Sequence, residues 1–250
     1  MINFRETRLP ILIGLVFIIF NLLMAGLLYQ LSPWHGVKGW PYPYALFNWD
    51  GGNYLSIVEY GYIDLYLYAF FPLYPLLIKL LTVLVGNFYW SALFVSWSAF
   101  LAGLTYLYKL LRLDYSQKIT LKIIFLMLIF PTSFFLVVSY SESLFLFLSV
   151  SCFYYLRKNK LLFSTILAML ASVTRPVGIV MVLIVLGYLM QSTKRQKLLL
   201  IPLLFSGFCC YLFFLNMISG DPFIFIKAQG LWHRNLGAEG LNIFYYWQKY

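Results

Sequence analysis

The first long apolar run of the chain is followed by a polar, aromatic stretch, Phe47-Asn48-Trp49-Asp50-Gly51-Gly52-Asn53-Tyr54 (residues 47–54). This segment continues through Glu59 to Asp64, so it holds three of the eight acidic residues. It contains one Trp and three Tyr residues, and Trp and Tyr concentrate at membrane–water boundaries. A carboxylate beside aromatic rings and glycines can act as a base on a membrane-borne substrate. The alternative from local residues is that Asp50 caps a helix beginning at Gly51.

The composition predicts an integral membrane protein. Of the 250 residues, 62% are hydrophobic and 10% are charged, whereas soluble proteins carry roughly 25% charged residues. We therefore expect an all-α, polytopic fold built from helices of about 20 residues. The net charge of +10 comes from basic clusters beside apolar runs, a pattern that suits membrane topology and anionic lipid headgroups rather than nucleic acid. The three cysteines have neither metal-ligand nor disulfide-framework spacing.

Charge also predicts the topology. Arg5 and Arg8 precede the apolar run 11–31, which places the N-terminus in the cytoplasm and makes this run a retained first helix. The apolar piece 76–85 is short for a span and contains Lys79. If it crossed the membrane, the basic cluster that begins at Lys109 would lie outside. The positive-inside rule therefore favours a flat, interfacial helix in an exoplasmic loop of residues 32–88.

These arguments predict a single membrane domain over residues 1–250 with about seven transmembrane helices and an exoplasmic tail from residue 220. Pro131 is expected to kink the third helix. The predicted spans are 11–31, 89–111, 121–138, 144–156, 161–173, 177–190 and 198–218. In this topology six of the eight acidic residues are exoplasmic, although the basic residues alone set the orientation. Their segregation indicates that the outer face carries the chemistry.

Two ionisable residues in predicted exoplasmic turns are candidates for function. Glu142 lies in Ser139-Tyr140-Ser141-Glu142-Ser143, and Arg175 lies in Thr174-Arg175-Pro176. An exoplasmic arginine suits phosphate binding through its bidentate fork. The alternative is that Arg175 pairs with Glu142 and only ties two turns together. Asp221 is interpreted as a turn former, and no cluster of His, Cys and carboxylates suggests a metal site.

Five ordered motifs together resemble a known family. They are Asn48-Trp49-Asp50 with Tyr60-Gly61-Tyr62; Phe70-Phe71-Pro72-Leu73-Tyr74-Pro75; Ser139-Tyr140-Ser141-Glu142-Ser143; Thr174-Arg175-Pro176 with Gly178; and Gly220-Asp221-Pro222-Phe223 with Gln229 and Trp232. This set resembles the PIG-V type, the second GPI mannosyltransferase family. The resemblance implies a GT-C glycosyltransferase that uses a polyprenyl-phosphate sugar such as dolichol phosphate mannose, with no cofactor and usually no metal. It also implies further C-terminal helices, so we expect a fragment or a shortened form.

The resemblance makes Asp50 the expected catalytic residue, a base for inverting transfer of a sugar, with mannose as the expected sugar. Arg175, helped by Lys79 or Arg234, would stabilise the lipid phosphate, and aromatic residues would stack on sugars. The expected substrate-binding residues are Glu59, Tyr60, Tyr62, Tyr74, Lys79, Glu142, Arg175, Trp232, His233 and Arg234. The expected partners are membrane lipid, the polyprenyl-phosphate donor and an unknown lipid, glycan or protein acceptor. Two rivals are a lipid or solute transporter gated by Glu142 and Arg175, and a structural membrane subunit.

Overall fold

The computed structural model describes residues 4–31, 44–191 and 197–231, and within them the chain is helical without β-strands. Short 3₁₀ turns at Tyr44–Phe47, Leu65–Ala69 and Pro131–Leu136 interrupt the α-helices. The α-helices are α1 (Phe4–Leu31), α2 (Asp50–Tyr60), α3 (Leu73–Val85), α4 (Phe88–Leu111), α5 (Gln117–Ile129), α6 (Glu142–Arg157), α7 (Leu161–Ser172), α8 (Gly178–Gln191), α9 (Lys197–Ser219) and α10 (Ile224–Leu231). This confirms the all-α prediction.

Three of the described helices, α1, α4 and α9, are long and apolar enough to cross a membrane. In the most apolar 18-residue stretch of each helix, 11%, 50% and 22% is buried, respectively. Helices α1 and α9 therefore leave most of their apolar surface for lipid. The helices α5 to α8 have 12 to 16 residues, or about 18–24 Å, against a hydrocarbon core of about 30 Å. The chain is an integral membrane protein, and the count of seven spans stays a prediction.

The predicted third span is broken rather than kinked. Helix α5 ends at Ile129, and Phe130 adopts an extended conformation with ψ 132°. Pro131 then begins a 3₁₀ turn. The proline ring disfavours helical geometry in the residue before it, which ends the α-helix there. The predicted exoplasmic tail begins with a short helix, α10, and its side of the membrane stays a prediction.

Small residues allow the central helices to pack closely. Helix α4 contacts α1, α3 and α6, and α7 contacts α6, α8 and α9. A Cβ at Gly103 of α4 would lie 3.2 Å from the backbone nitrogen of Phe147 in α6. Helix α3 exists as predicted and packs on α4 through a face that includes the fully buried Tyr74 and Ile78. Its flat orientation stays a prediction.

Helix α6 begins at an acidic residue and ends at a basic residue. Glu142 is its first residue, whereas Arg157 is its last and pairs with Asp114 at 2.7 Å. The helical rise separates the two ends by about 24 Å. Lys109 and Arg112, at the end of α4, precede the turn that carries Asp114. Glu142 is therefore remote from this basic end of the bundle.

Candidate functional site

The site is organised by the start of α2. Asp50 is the first residue of the helix, and Trp49 occupies the N-cap position without a side-chain capping bond. Trp49 has φ 53° and ψ −121°, a backbone conformation that costs a residue with a side chain on the order of 1–3 kcal/mol. This strained residue directly precedes Asp50, the predicted catalytic residue.

The two glycines after Asp50 allow α2 to approach its neighbours closely. A Cβ at Gly51 would lie 3.3 Å from the carbonyl oxygen of Ser139 and 3.5 Å from the Tyr140 ring. The Tyr140 hydroxyl donates a hydrogen bond to the carbonyl of Asn48 at 3.2 Å. These contacts place the start of α2 against the turn that leads into α6.

A polar network joins α2 to the turns before α6 and α8. The buried Tyr54 hydroxyl donates to Ser141 Oγ at 2.8 Å. Arg175 Nη1 contacts the same oxygen at 3.4 Å and pairs with Glu142 Oε1 at 2.5 Å. Both of these contacts with described residues use the same guanidinium nitrogen, Nη1.

Electrostatics links Asp50 to this network. Burial, followed by the charge of Asp50, raises the pKa of Tyr140 to about 12. Burial also raises the pKa of Tyr54 well above its ordinary range, and the charges of Glu142 and Asp50 contribute to the increase. Burial lowers the pKa of Arg175, but interactions with Glu142 first, and with Asp50 more weakly, bring its net pKa above the ordinary value. We call Asp50, Tyr54, Ser141, Glu142 and Arg175 the Asp50 cluster.

The turn that carries Arg175 depends on a glycine. Helix α7 ends at Ser172 and α8 begins at Gly178. A Cβ at Gly178 would lie 1.9 Å from the carbonyl oxygen of Ala171, a clash with backbone that a small shift cannot remove. A further hydrogen bond, from Leu73 N to the carbonyl of Val173 at 3.0 Å, ties this turn to the start of α3. The position of Arg175 is therefore fixed from two sides.

A groove of about 540 Å³ lies between α2, α3 and α9, and we call it the apolar groove. Apolar side chains such as Ile57 and Phe214 form most of its wall, and Tyr62 and Lys79 also line it. Val173, two residues before Arg175, is part of the same wall, so the groove reaches the turn of the Asp50 cluster. Lys79 is exposed and takes part in none of the ion pairs among described residues.

A second cavity, of about 560 Å³, lies beside the start of α2, and we call it the aromatic cavity. Its wall combines Trp49, Tyr60, Phe88 and Tyr89 with Glu59. A hydrogen bond between Tyr60 and the Glu59 carboxylate, together with the negative charge of Glu59, raises the pKa of Tyr60. The cavity therefore presents an acid among aromatic rings, and Asp50 is not part of its wall.

The predicted site residues fall into four places. Glu142 and Arg175 form an ion pair in the Asp50 cluster, and Asp50 acts on Arg175 through its charge. Tyr62 and Lys79 line the apolar groove, and Glu59 and Tyr60 line the aromatic cavity. The Tyr74 ring is fully buried, and its hydroxyl bonds to Ser96 Oγ at 2.7 Å, so Tyr74 supports the loop from inside. Trp232, His233 and Arg234 lie outside the described residues.

Sequence reasoning selected neither Tyr54, Ser141 nor Trp49 as a functional residue. Tyr54 and Ser141 stand within the quoted motifs, but their contact joins positions 87 residues apart, and no local pattern predicts it. The strain at Trp49 is visible only in its backbone angles. Among the described residues, no group of three or more His, Cys, Asp or Glu side chains could hold a metal ion.

Comparison with known proteins identifies the family. The sequence model of the family described as mannosyltransferase (PIG-V) matches residues 42–225, which is well over half of the chain. No curated protein and no solved structure gives a significant match. The matched region contains the Asp50 cluster, the apolar groove and the aromatic cavity, and it favours a transferase over a transporter. The chain belongs to the PIG-V mannosyltransferase family and is a membrane glycosyltransferase.

Proposed function

We propose that this protein transfers mannose from a polyprenyl phosphate to an acceptor hydroxyl on the exoplasmic or lumenal face of its membrane. In a eukaryote this face would be that of the endoplasmic reticulum, and in a bacterium that of the plasma membrane. The observation that carries the proposal is the ion pair of Arg175 with Glu142 beside an apolar groove, linked through Ser141 to Tyr54 of the helix that begins at Asp50. A base, a phosphate-binding cation and a site for a lipid tail are the parts that such a reaction requires.

The proton transfer is assigned to Asp50. Its carboxylate accepts the proton of the acceptor hydroxyl while the hydroxyl oxygen attacks the anomeric carbon of the donor. The bond between that carbon and the phosphate oxygen breaks on the opposite face, so the configuration at the carbon inverts. This chemistry needs one base and no covalent intermediate, because the lipid phosphate leaves as a stable anion.

Arg175 is assigned to the departing phosphate. The contacts of its guanidinium with Glu142 and Ser141 both use Nη1, and a guanidinium fork matches two phosphate oxygens. Glu142 holds the arginine in place. Such a preorganised cation stabilises the charge that develops as the phosphate leaves.

The apolar groove is assigned to the polyprenyl chain. Most of its wall is apolar, and Lys79 supplies a cation within the wall. A lipid phosphate combines an apolar tail with an anionic head, so its chemistry is complementary to a groove with a cation at its wall. Tyr62 lies along the same wall and is positioned to contact the lipid or the donor sugar.

The replacement of Asp50 by Asn tests the assignment. Asp50→Asn keeps the shape of the side chain but removes the proton acceptor, so the transfer rate should fall about 10²- to 10⁴-fold. Donor binding should persist, since the phosphate is assigned to Arg175. The measurement is single-turnover transfer from a radiolabelled polyprenyl-phosphate mannose by purified protein in lipid nanodiscs.

Asp64→Asn is the matched control, because Asp64 is an exposed acid of the same loop whose side chain makes no capping bond. If Asp50 served only the start of α2, where Trp49 holds the N-cap position, Asn would replace it with little loss. Near wild-type transfer by a folded Asp50→Asn protein that binds donor would therefore exclude Asp50 as the base.

A further inference from the structure

The aromatic cavity lies at one end of a helix that is long and apolar enough to cross a membrane. Phe88 and Tyr89, two of its wall residues, are the first residues of this helix, α4. Such a helix ends at the boundary between hydrocarbon and water, where lipid headgroups lie. The cavity has a volume of about 560 Å³, within the range of small-molecule sites. The proposed transfer does not use this cavity, because Asp50 is not part of its wall.

The segment that contributes most of the wall is acidic, although the chain is basic. Residues 44–78 contain three acids, Asp50, Glu59 and Asp64, and no lysine, arginine or histidine, whereas the whole chain has a net charge of +10. Glu59 lies in the wall and belongs to none of the ion pairs among the described residues. Charge complementarity therefore favours a cationic ligand.

Aromatic side chains surround this acid in the wall: Phe47, Trp49, Tyr60, Phe88 and Tyr89. The Tyr89 ring contacts the rings of Phe47 and Phe88 at centroid distances of 5.1 and 4.4 Å, and Phe47 is buried. Packing therefore holds these three rings in place before a ligand binds. The Tyr60 hydroxyl bonds to Glu59 and interacts electrostatically with Tyr89, so α2 and α4 approach each other at the cavity.

Trp49 indicates that the cavity is a binding site. Its side chain is 75% exposed, so it contributes little to the core. Its backbone nevertheless has a positive φ of 53°, which a glycine would adopt without strain. Strained residues of this kind cluster at ligand-binding sites. A ligand in the cavity would give the exposed ring a partner.

Among cations, this wall favours an organic ammonium group over a metal ion. Aromatic faces attract a cation held within about 6 Å, and choline-type groups are recognised in this way. A metal ion needs several oxygen, nitrogen or sulfur ligands. Among the described residues of the wall, Glu59 alone is an Asp, Glu, His or Cys, and it belongs to no metal-binding group. At headgroup depth, organic ammonium groups are carried by zwitterionic phospholipids.

We infer that the aromatic cavity binds the ammonium group of a zwitterionic phospholipid, choline or ethanolamine, with the rings around the cation and Glu59 as its counter-ion. The bound lipid is neither the donor nor the acceptor of the transfer. It anchors the loop that carries Asp50 to the membrane surface. The inference does not depend on the proposed function, because this binding involves neither Asp50 nor Arg175.

The test is native mass spectrometry of the full chain in a maltoside detergent, which has no ammonium group. Four lipids with the same acyl chains are titrated separately: phosphatidylcholine, phosphatidylethanolamine, phosphatidylglycerol, and the phosphatidylcholine analogue with carbon in place of the ammonium nitrogen. The measurement is the Kd of the first bound lipid. The last two lipids lack the cation, so they report binding elsewhere on the protein, including its basic end.

Glu59→Gln should raise the Kd for an ammonium lipid by at least about 5-fold, the effect of two unit charges about 4 Å apart in water. Trp49→Leu keeps an apolar side chain but removes the aromatic face. It should raise the same Kd about 2- to 30-fold, the range of a cation–π contact. Neither variant should change the Kd for phosphatidylglycerol or for the carbon analogue.

The matched controls are Asp64→Asn and Trp90→Leu, an acid and a tryptophan that are exposed outside the cavity. Both controls should bind all four lipids as the wild type does. Monodisperse elution of each purified variant shows that it is folded. A response of phosphatidylcholine alone, or of phosphatidylethanolamine alone, would support the inference and identify the headgroup.

Unchanged binding of both ammonium lipids in folded Glu59→Gln or in folded Trp49→Leu would overturn the inference. An equal loss for phosphatidylcholine and its carbon analogue would overturn it as well, because the cavity would then recognise shape rather than charge. An equal loss in the two control variants would place the binding site elsewhere. None of these results affects the proposed transfer, which is measured separately through Asp50→Asn.

Discussion

The contact between Arg175 and Glu142 allows two roles for the arginine to be separated. The pair joins the turn before α8 to the start of α6 at 2.5 Å, and the two side chains are 33% and 30% exposed. If the pair only ties the turns together, both residues matter equally. If Arg175 binds the donor phosphate, its loss has a second consequence that the loss of Glu142 lacks. A double-mutant cycle of Arg175→Ala and Glu142→Gln measures both consequences.

The expected coupling follows from the exposure of the pair. Exposed ion pairs contribute about 0.2–1 kcal/mol, and the removal of one partner from a buried pair costs about 3–5 kcal/mol. A pair that is one-third exposed lies nearer the lower range, so we expect a coupling of about 1–2 kcal/mol in the free energy of unfolding. For a chain of this size each kcal/mol changes the Tm by about 2–4 °C. Thermal unfolding of the four proteins in one detergent gives the cycle.

Donor kinetics gives the second consequence. Arg175→Ala should raise the KM for polyprenyl-phosphate mannose about 10- to 100-fold, because it removes charge-assisted hydrogen bonds to the phosphate. Arg175→Lys keeps the charge without the fork and should be intermediate. Glu142→Gln keeps an oxygen that can accept a hydrogen bond from Arg175, so it should change the donor KM much less. Arg157→Ala is the matched control, because it breaks a bidentate ion pair at the other end of α6.

Equal increases in donor KM for Arg175→Ala and Glu142→Gln would refute the phosphate role and support the tie between two turns. An unchanged donor KM in both arginine variants would have the same meaning. A coupling near zero together with a large donor effect would instead show that the pair adds no stability, while the phosphate role would stand.

Three further predictions concern the fold. Gly178→Ala should prevent stable folding, because its Cβ would lie 1.9 Å from a backbone carbonyl oxygen of α7. Gly187→Ala should be tolerated, because a Cβ there has no atom within 4 Å. Monodisperse elution of each purified variant is the measurement. Tyr54→Phe should lower the free energy of unfolding by about 1–3 kcal/mol, because a buried hydrogen bond of 2.8 Å is lost, and an unchanged Tm would contradict this. After Cys209 and Cys210 are replaced, an impermeant thiol reagent applied from outside should label Ile63→Cys but not Ser116→Cys; labelling of both would exclude the flat orientation of α3.

The sequence by itself determined the membrane class, the helical fold and the family. Composition excludes a soluble domain because a chain with 10% charged residues cannot cover its surface with them. The long apolar runs became α1, α4 and α9, since every backbone group in lipid must be hydrogen-bonded within its own helix. The sequence also selected Asp50, Glu142 and Arg175 as site candidates, because charges are rare in this chain.

Only the tertiary structure decided which of these residues meet. Tyr54 bonds to Ser141, and Arg175 pairs with Glu142, across separations of 87 and 33 positions that no local period encodes. Tyr74 and Tyr60 look alike in sequence, yet the first is fully buried and the second is 61% exposed. The strain at Trp49 and the tight turn at Gly178 likewise depend on the neighbouring helices. The physical reason is that the contacts of side chains and turns at the site depend on packing between helices that are distant in sequence. The local conformational preference of each segment does not determine them.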